Sequence, residues 1–241
     1  MNKKKIVFLL LIALLFSFYL FSNRKDNESQ VKEVEVKTDL SELKKIITSY
    51  LGTPYRLGPL GEGVDKEIYR DDVFDCTTFV LVSVSNLHSD NPQQMIKQIN
   101  YYPPGEVSYQ TRLHFSSYRN KVSDYFEDIT AQVGGSYAKS KEILLNKGDL
   151  INIDWQKNIN LKYIEKEDVG KVIQNLPRVA GVMFIKDGDQ EIGLDVRHEG
   201  FILDNRDLIH ASSTFGEVRR ENFLDYLQKS SYDAVNFYKI N

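Results

Sequence analysis

The sequence holds one cysteine, Cys76, within Phe74-Asp75-Cys76-Thr77-Thr78-Phe79-Val80. In a chain that reads as exported, a single cysteine cannot close an internal disulfide, so the thiol pairs between molecules, sits inert, or reacts. Asp75 and the two threonines are N-cap and first-turn residue types, and Phe79-Val80-Leu81-Val82 continues them as an apolar helical run. The sulfur is therefore expected at a helix N-terminus, where unpaired N–H groups and the helix dipole favour thiolate over thiol. That setting suits a nucleophile; a buried structural cysteine is the plainer alternative.

Two histidines far downstream, His198 and His210, supply what a nucleophilic thiol needs. Partners in Cys–His catalysis are commonly distant in sequence and adjacent in space. His198 would take the thiol proton, or hold an ion pair with the thiolate, and later protonate a leaving amine. His210 would fix the tautomer and ring plane of His198, the third-group role of a triad. The backbone N–H of Cys76 would donate to the oxyanion that forms at an attacked carbonyl.

The elements that must position these groups can be read from the residue pattern. His198-Glu199-Gly200-Phe201-Ile202-Leu203 and Leu208-Ile209-His210-Ala211-Ser212 flank the polar turn Asp204-Asn205-Arg206-Asp207, a hairpin signature. With the turn centred on Asn205–Arg206, the two histidines lie near opposing positions, offset by about two residues, within reach of one another on one face. Upstream, Asp39-Leu40-Ser41-Glu42 fits a capping box, followed by apolar residues at helical spacing from Leu40 to Leu51. The cysteine helix should run to about His88, a further helix covers Asn91–Tyr102, and a third spans Thr111 to Phe126. Residues 131–178 are the least legible, with a strand expected at Asn160–Ile164 and a helix at Glu167–Asn175. Val182–Ile185 and Ala234–Ile240 read as strands, with a short helix near Asn222–Gln228. Helices first and an antiparallel sheet after them give an α+β domain.

The N-terminus is a separate matter. Lys3-Lys4-Lys5 precede an uncharged run from Ile6 to Ser22, the pattern of an export signal. Bulky Phe18, Tyr19, Leu20 and Phe21 favour an uncleaved anchor over a cleaved peptide, with the basic start cytoplasmic and the rest outside. The expected organisation is a signal anchor or signal peptide over 1–25, a polar linker over 26–38 and a catalytic domain over 39–241. Five of the 31 Lys and Arg lie in residues 1–25, which leaves 26 against 34 acids, a net charge of −8. That balance argues against a nucleic-acid partner, whose footprint is a basic patch.

Four blocks carry a family resemblance: Gly52-Thr53-Pro54-Tyr55, Asp75-Cys76-Thr77-Thr78-Phe79-Val80, His198-Glu199-Gly200-Phe201 and Ile209-His210-Ala211-Ser212. In this order they resemble the NlpC-type papain-like cell-wall hydrolases. The Thr-Thr after the cysteine, with Arg112-Leu113-His114, resembles their N-acetylmuramoyl-L-alanine amidase-like branch. The match departs at Leu81, at Tyr118 and at Ala180-Gly181-Val182, positions that bear on packing and specificity.

The resemblance implies a papain-like fold and a cysteine amidase acting on peptidoglycan fragments, cutting between the muramic acid lactyl group and L-Ala. Cys76 is then nucleophile, His198 base and His210 orienting residue. Tyr55 and Asp75 would line the substrate site, and Arg112 and His114 are candidate substrate contacts. No cofactor is called for. Three rivals remain at this stage. One is an endopeptidase cutting after D-Glu in the stem peptide, and another is a wall- or partner-binding module that has lost activity. The third is a zinc site built from Cys76, His114, His198 and His210. His88 reads as a helix C-terminal dipole partner, Arg112 equally as an ion-pair residue, and Arg219-Arg220-Glu221 as a solvated face.

Overall fold

The computed structural model describes residues 40–63 and 66–241. The expected anchor, linker and Asp39 cap lie outside them. Among the described residues, seven α-helices and eight strands follow in chain order: α1 (Leu40–Ser49), α2 (Cys76–His88), α3 (Pro92–Ile99), α4 (Ser116–Val122), β1 (Phe126–Asp128), α5 (Thr130–Gly134), β2 (Ala138–Leu145), β3 (Lys157–Glu165), α6 (Lys166–Val172), β4 (Val179–Ile185), β5 (His198–Leu203), β6 (Asp207–Ser212), β7 (Glu217–Asn222), α7 (Phe223–Lys229) and β8 (Ala234–Ile240). The strands form one antiparallel sheet ordered β2-β3-β8-β4-β5-β6-β7, with β1 on β8. The α+β class expected from the pattern is the one found. Among the described residues, no helix is long and apolar enough to cross a membrane.

The sheet has a core on each face, as period-2 alternation along its strands requires. Phe201, Leu203, Ile209 and Ala211 pack with Phe79, Val80 and Val84 of α2 and with Leu43 and Ile47 of α1. The alternate residues Ile202 and Leu208 face the other way, against Val169, Val172, Phe223 and Leu227 of α6 and α7. Central strands β4 and β5 are buried along their whole length. That explains why Val179–Ile185 reads as a continuous apolar run rather than an alternation.

Some boundaries differ from expectation. The helix expected over Asn91–Tyr102 is α3, capped by Asn91 and finished at Ile99 well before the two prolines. The helix expected over Thr111–Phe126 shrinks to the seven residues of α4, because the Leu113 amide bonds back to the Asn100 carbonyl at 2.8 Å and Phe126 enters the sheet beside Ile240. Strand β2, not anticipated, is a solvent-facing edge whose Lys-Ser-Lys-Glu sequence lacks an apolar pattern and is held by its full-length register with β3. Edge strands manage exposure with such charges, which also erases their sequence signal.

Candidate active site

Cys76 is the first residue of α2, as expected. Asp75 is its N-cap and closes a capping box with Thr78: the Thr78 amide and hydroxyl both donate to Asp75 Oδ1 at 2.8 Å, and the Asp75 amide donates to Thr78 Oγ1 at 2.9 Å. The other carboxylate oxygen accepts the Gly58 amide at 2.8 Å. The carboxylate thus pins the loop before the helix to the helix start. Both its oxygens are engaged structurally, and a substrate contact there would compete with the cap. The helix begins at Cys76 because Asp75 is extended and satisfies orphan amides that helix geometry leaves open.

Tyr55 reaches the same place by backbone pairing. Its amide donates to Gly216 O at 2.7 Å, Pro54 bridges Glu217 at the start of β7, and Arg56 N donates to Phe74 O at 2.9 Å. Burial raises the Tyr55 phenol, and the neighbouring Cys76, Asp75 and Tyr232 raise it further, so these four groups share one neighbourhood.

The hairpin β5–β6 brings the two histidines together. Asp204 and Asn205 take left-handed conformations (φ 51° and 57°), and Arg206 N donates to Leu203 O at 3.1 Å, the mirror-image turn that suits the strand twist. The register Phe201↔Ile209 puts His210 opposite Gly200, two residues from His198 and on the same face. This is the offset the sequence suggested. His198 Nε2 lies 2.6 Å from His210 Nδ1, with the rings nearly perpendicular. Glycine at 200 is required by that approach: a Cβ there would stand 2.7 Å from Ile209 O and 2.9 Å from His210 Cβ.

The Cys76 sulfur lies against the start of β5, the strand that opens with His198. The Glu199 backbone amide, one residue past His198, donates to the Cys76 sulfur, and Thr77 Oγ1 stands 4.0 Å from it. Although the residue keeps part of its surface exposed, packing around the sulfur dominates its chemistry. Burial, with the Asp75 and Glu199 carboxylates nearby, pushes the thiol up to about 12 against the lowering effect of those two donors. Burial, with His210 beside it, holds His198 down to about 3. Both shifts favour the neutral thiol and the neutral imidazole. The helix-start expectation of a favoured thiolate is corrected here, because desolvation outweighs the dipole.

Several neighbours were not foreseen. His210 Nε2 lies 2.8 Å from Glu221 Oε2, and Arg219 Nε is 3.7 Å from the same oxygen. The Arg219-Arg220-Glu221 run is thus not simply a solvated face. The register His210↔Arg219 sets Glu221 diagonally across from His210, which only the β6–β7 pairing reveals. Tyr232 stacks on His198 (centroids 6.2 Å, interplanar 5°), and Tyr226 meets His210 edge-on at 4.8 Å. These four rings, with Glu221 and Lys229, border a cavity of about 320 Å³.

Behind the sulfur, Glu199 points to the opposite face and pairs bidentately with Arg119 (3.1 and 2.8 Å), both side chains being at most 1 % exposed. Ser116 Oγ donates to the same carboxylate at 2.8 Å. Nothing in the sequence pattern of Arg119 distinguishes it from a surface arginine.

Arg112 and His114 are placed otherwise. Arg112 forks onto Glu62, which also accepts from the Tyr101 hydroxyl at 3.0 Å. His114 Nε2 lies 2.8 Å from Tyr109 O, beside the Tyr109 ring. Neither bonds to Cys76, His198 or His210. The donors of the zinc alternative are accordingly not gathered: among the described residues, no group of three or more His, Cys, Asp or Glu is arranged to hold a metal ion. His88 closes α2 as expected, but its Nε2 is buried without a partner and its ring meets Tyr125 edge-on.

Comparison with known proteins follows the same lines. The fold is similar to that of a protein from Legionella pneumophila (24% identity, TM-score 0.71, covering 83% of this chain and 88% of that one). It is also similar to a crystal structure described as an N-acetylmuramoyl-L-alanine amidase from Bacteroides uniformis (19% identity, TM-score 0.67, covering 83% and 98%). A third is a putative xylanase from Bacteroides fragilis (20% identity, TM-score 0.63, covering 81% and 100%). At these identities the likeness establishes the fold alone. No curated protein matches the sequence. The family model described as AmiA-like, N-acetylmuramoyl-L-alanine amidase-like, matches residues 45–234. That span runs from within α1 to the first residue of β8 and contains Cys76, His198, His210 and Glu221, and the chain belongs to this amidase-like family.

Proposed function

We propose that this protein is a cysteine amidase that hydrolyses the amide between N-acetylmuramic acid and L-Ala in peptidoglycan fragments. The observation that carries the reading is the Cys76 sulfur at the Glu199 amide, one residue from a His198 that is paired with His210, in a chain of this family. His198 spends Nε2 on His210, so Nδ1 is the nitrogen left to act as base.

The reaction starts from the neutral pair. His198 takes the thiol proton as sulfur attacks the lactyl carbonyl, so the thiolate exists only as the new C–S bond forms. The Cys76 N–H, which has no intrahelical acceptor, faces the developing oxyanion. Collapse breaks the C–N bond, and His198 hands its proton to the amine of L-Ala. Water then gives a proton to His198 and adds to the thioester, which releases the lactyl carboxylate and restores the thiol. The cationic, apolar start of the chain supports an extracytoplasmic, membrane-anchored location, where such fragments occur.

The test is a digest of a muramoyl-tripeptide. Release of the free muramic acid derivative with an intact L-Ala-led peptide is expected, with no turnover by Cys76→Ala. Recovery of muramoyl-dipeptide would assign the endopeptidase reaction instead. Activity surviving in Cys76→Ala would refute the nucleophile.

A further inference from the structure

The catalytic pair is continued by a third partner on another strand. His210 Nε2 faces Glu221 Oε2 at 2.8 Å, while His210 Nδ1 faces His198 Nε2 at 2.6 Å. A carboxylate can only accept, so the ring proton of a neutral His210 sits on Nε2 and leaves Nδ1 as an acceptor. The proton between the two rings must then belong to His198 Nε2, which leaves the lone pair of His198 on Nδ1. The choice of base nitrogen is thus settled two rings away. Without the carboxylate, His210 could carry its proton on Nδ1 and donate to His198 Nε2. His198 would then be protonated on Nδ1 and have no lone pair for the thiol.

We propose that Glu221 is a positioning residue that fixes the tautomers of His210 and His198 and so decides which His198 nitrogen acts as base. Three features support the assignment. Arg219, opposite His210 in the strand register, places its Nε 3.7 Å from the same carboxylate oxygen. The β6–β7 register holds Glu221 diagonally across from His210 along six paired positions. Glu221 also borders the cavity that His198 and His210 line, so the three groups face the same space. When His198 becomes imidazolium during turnover, the polarised His210 stabilises the added charge, as a carboxylate does through one ring in a triad.

This inference rests on the amidase reading for its kinetic arm but not for its spectroscopic one. In protein carrying ¹⁵N-labelled histidine at pH 7, the native chain should show His198 and His210 each protonated on Nε2 and pyridine-like on Nδ1. Glu221→Ala should shift both toward the Nδ1-protonated form. Glu221→Gln, whose carbonyl can still accept from His210, should keep the native tautomers. Glu221→Ala should lower kcat on the order of 100-fold and Glu221→Gln about tenfold, with KM moving less than about threefold in either, since Glu221 orients the base rather than the substrate. Native tautomers in folded Glu221→Ala would overturn the proposal, as would an unchanged kcat in a protein otherwise active as an amidase. If the native chain hydrolyses no muramoyl-peptide, the amidase reading fails while the tautomer shift still decides the relay.

Discussion

At the scale of single residues, the decisive quantity is the protonation state of Cys76. A cysteine at a helix start is expected to be acidic, but burial and two nearby carboxylates push this one up to about 12 while His198 is held down to about 3. A neutral pair makes a specific prediction for simple alkylation. Iodoacetamide reacts with thiolate, so labelling of Cys76 should be slow at pH 7 and rise about tenfold per pH unit, with no plateau short of pH ~12. Mass spectrometry of timed reactions measures this. A plateau near neutral pH would mean a preformed ion pair. The helix-start position of this residue was legible in the sequence because its capping neighbours are local and chemically distinctive. Its acidity was not, since acidity is set by which carboxylates and amides the fold brings to the sulfur.

At the scale of elements, the setting of Cys76 depends on how α2 and β5 are held against one another. The Asp75–Thr78 box fixes the start of the helix, and the Arg119–Glu199 pair fixes the strand that carries His198. The second of these is wholly buried, so removing one partner leaves an uncompensated charge. Arg119→Met should therefore destabilise the protein by about 3–5 kcal/mol, whereas Arg119→Met combined with Glu199→Met should recover much of the loss. Urea denaturation followed by circular dichroism separates the cases, and equal losses in the single and double variants would contradict this account. The cap was readable, since Asp-x-x-Thr before an apolar run is local chemistry. The Arg119–Glu199 pair spans 80 residues, and no local pattern could have announced it.

At the scale of the whole molecule, the same buried groups shape stability against pH. His198 titrates near 6.5 when unfolded and near 3 when folded, so between those values the unfolded chain binds more protons. Stability contributed by the neutral ring is present above pH ~6.5 and is lost as pH falls toward 3, by about 1 kcal/mol per pH unit. Buried Asp195, raised to about 6, works in the opposite direction between pH 3.8 and 6, so the net curve alone is not diagnostic. The comparison that isolates His198 is His198→Asn. Denaturant midpoints taken from pH 7 to pH 4 should fall more steeply in the native protein than in this variant, and parallel curves would contradict the assignment. Cys76 acts at the other end: its raised value removes stability as pH climbs from 9 toward 12.

By itself the sequence determined the α+β class, the helix that starts at Cys76, and the β5–β6 hairpin whose two-residue offset pairs His198 with His210. Each of these follows from neighbours a few residues apart, through capping, periodicity and turn geometry. Tertiary structure alone decided that Glu221 completes the histidine pair, that Glu199 lends its amide to the sulfur while its carboxylate binds Arg119, and that Arg112 is occupied by Glu62. Those outcomes depend on strand register and on which charges lose their water, and both are properties of the packed chain.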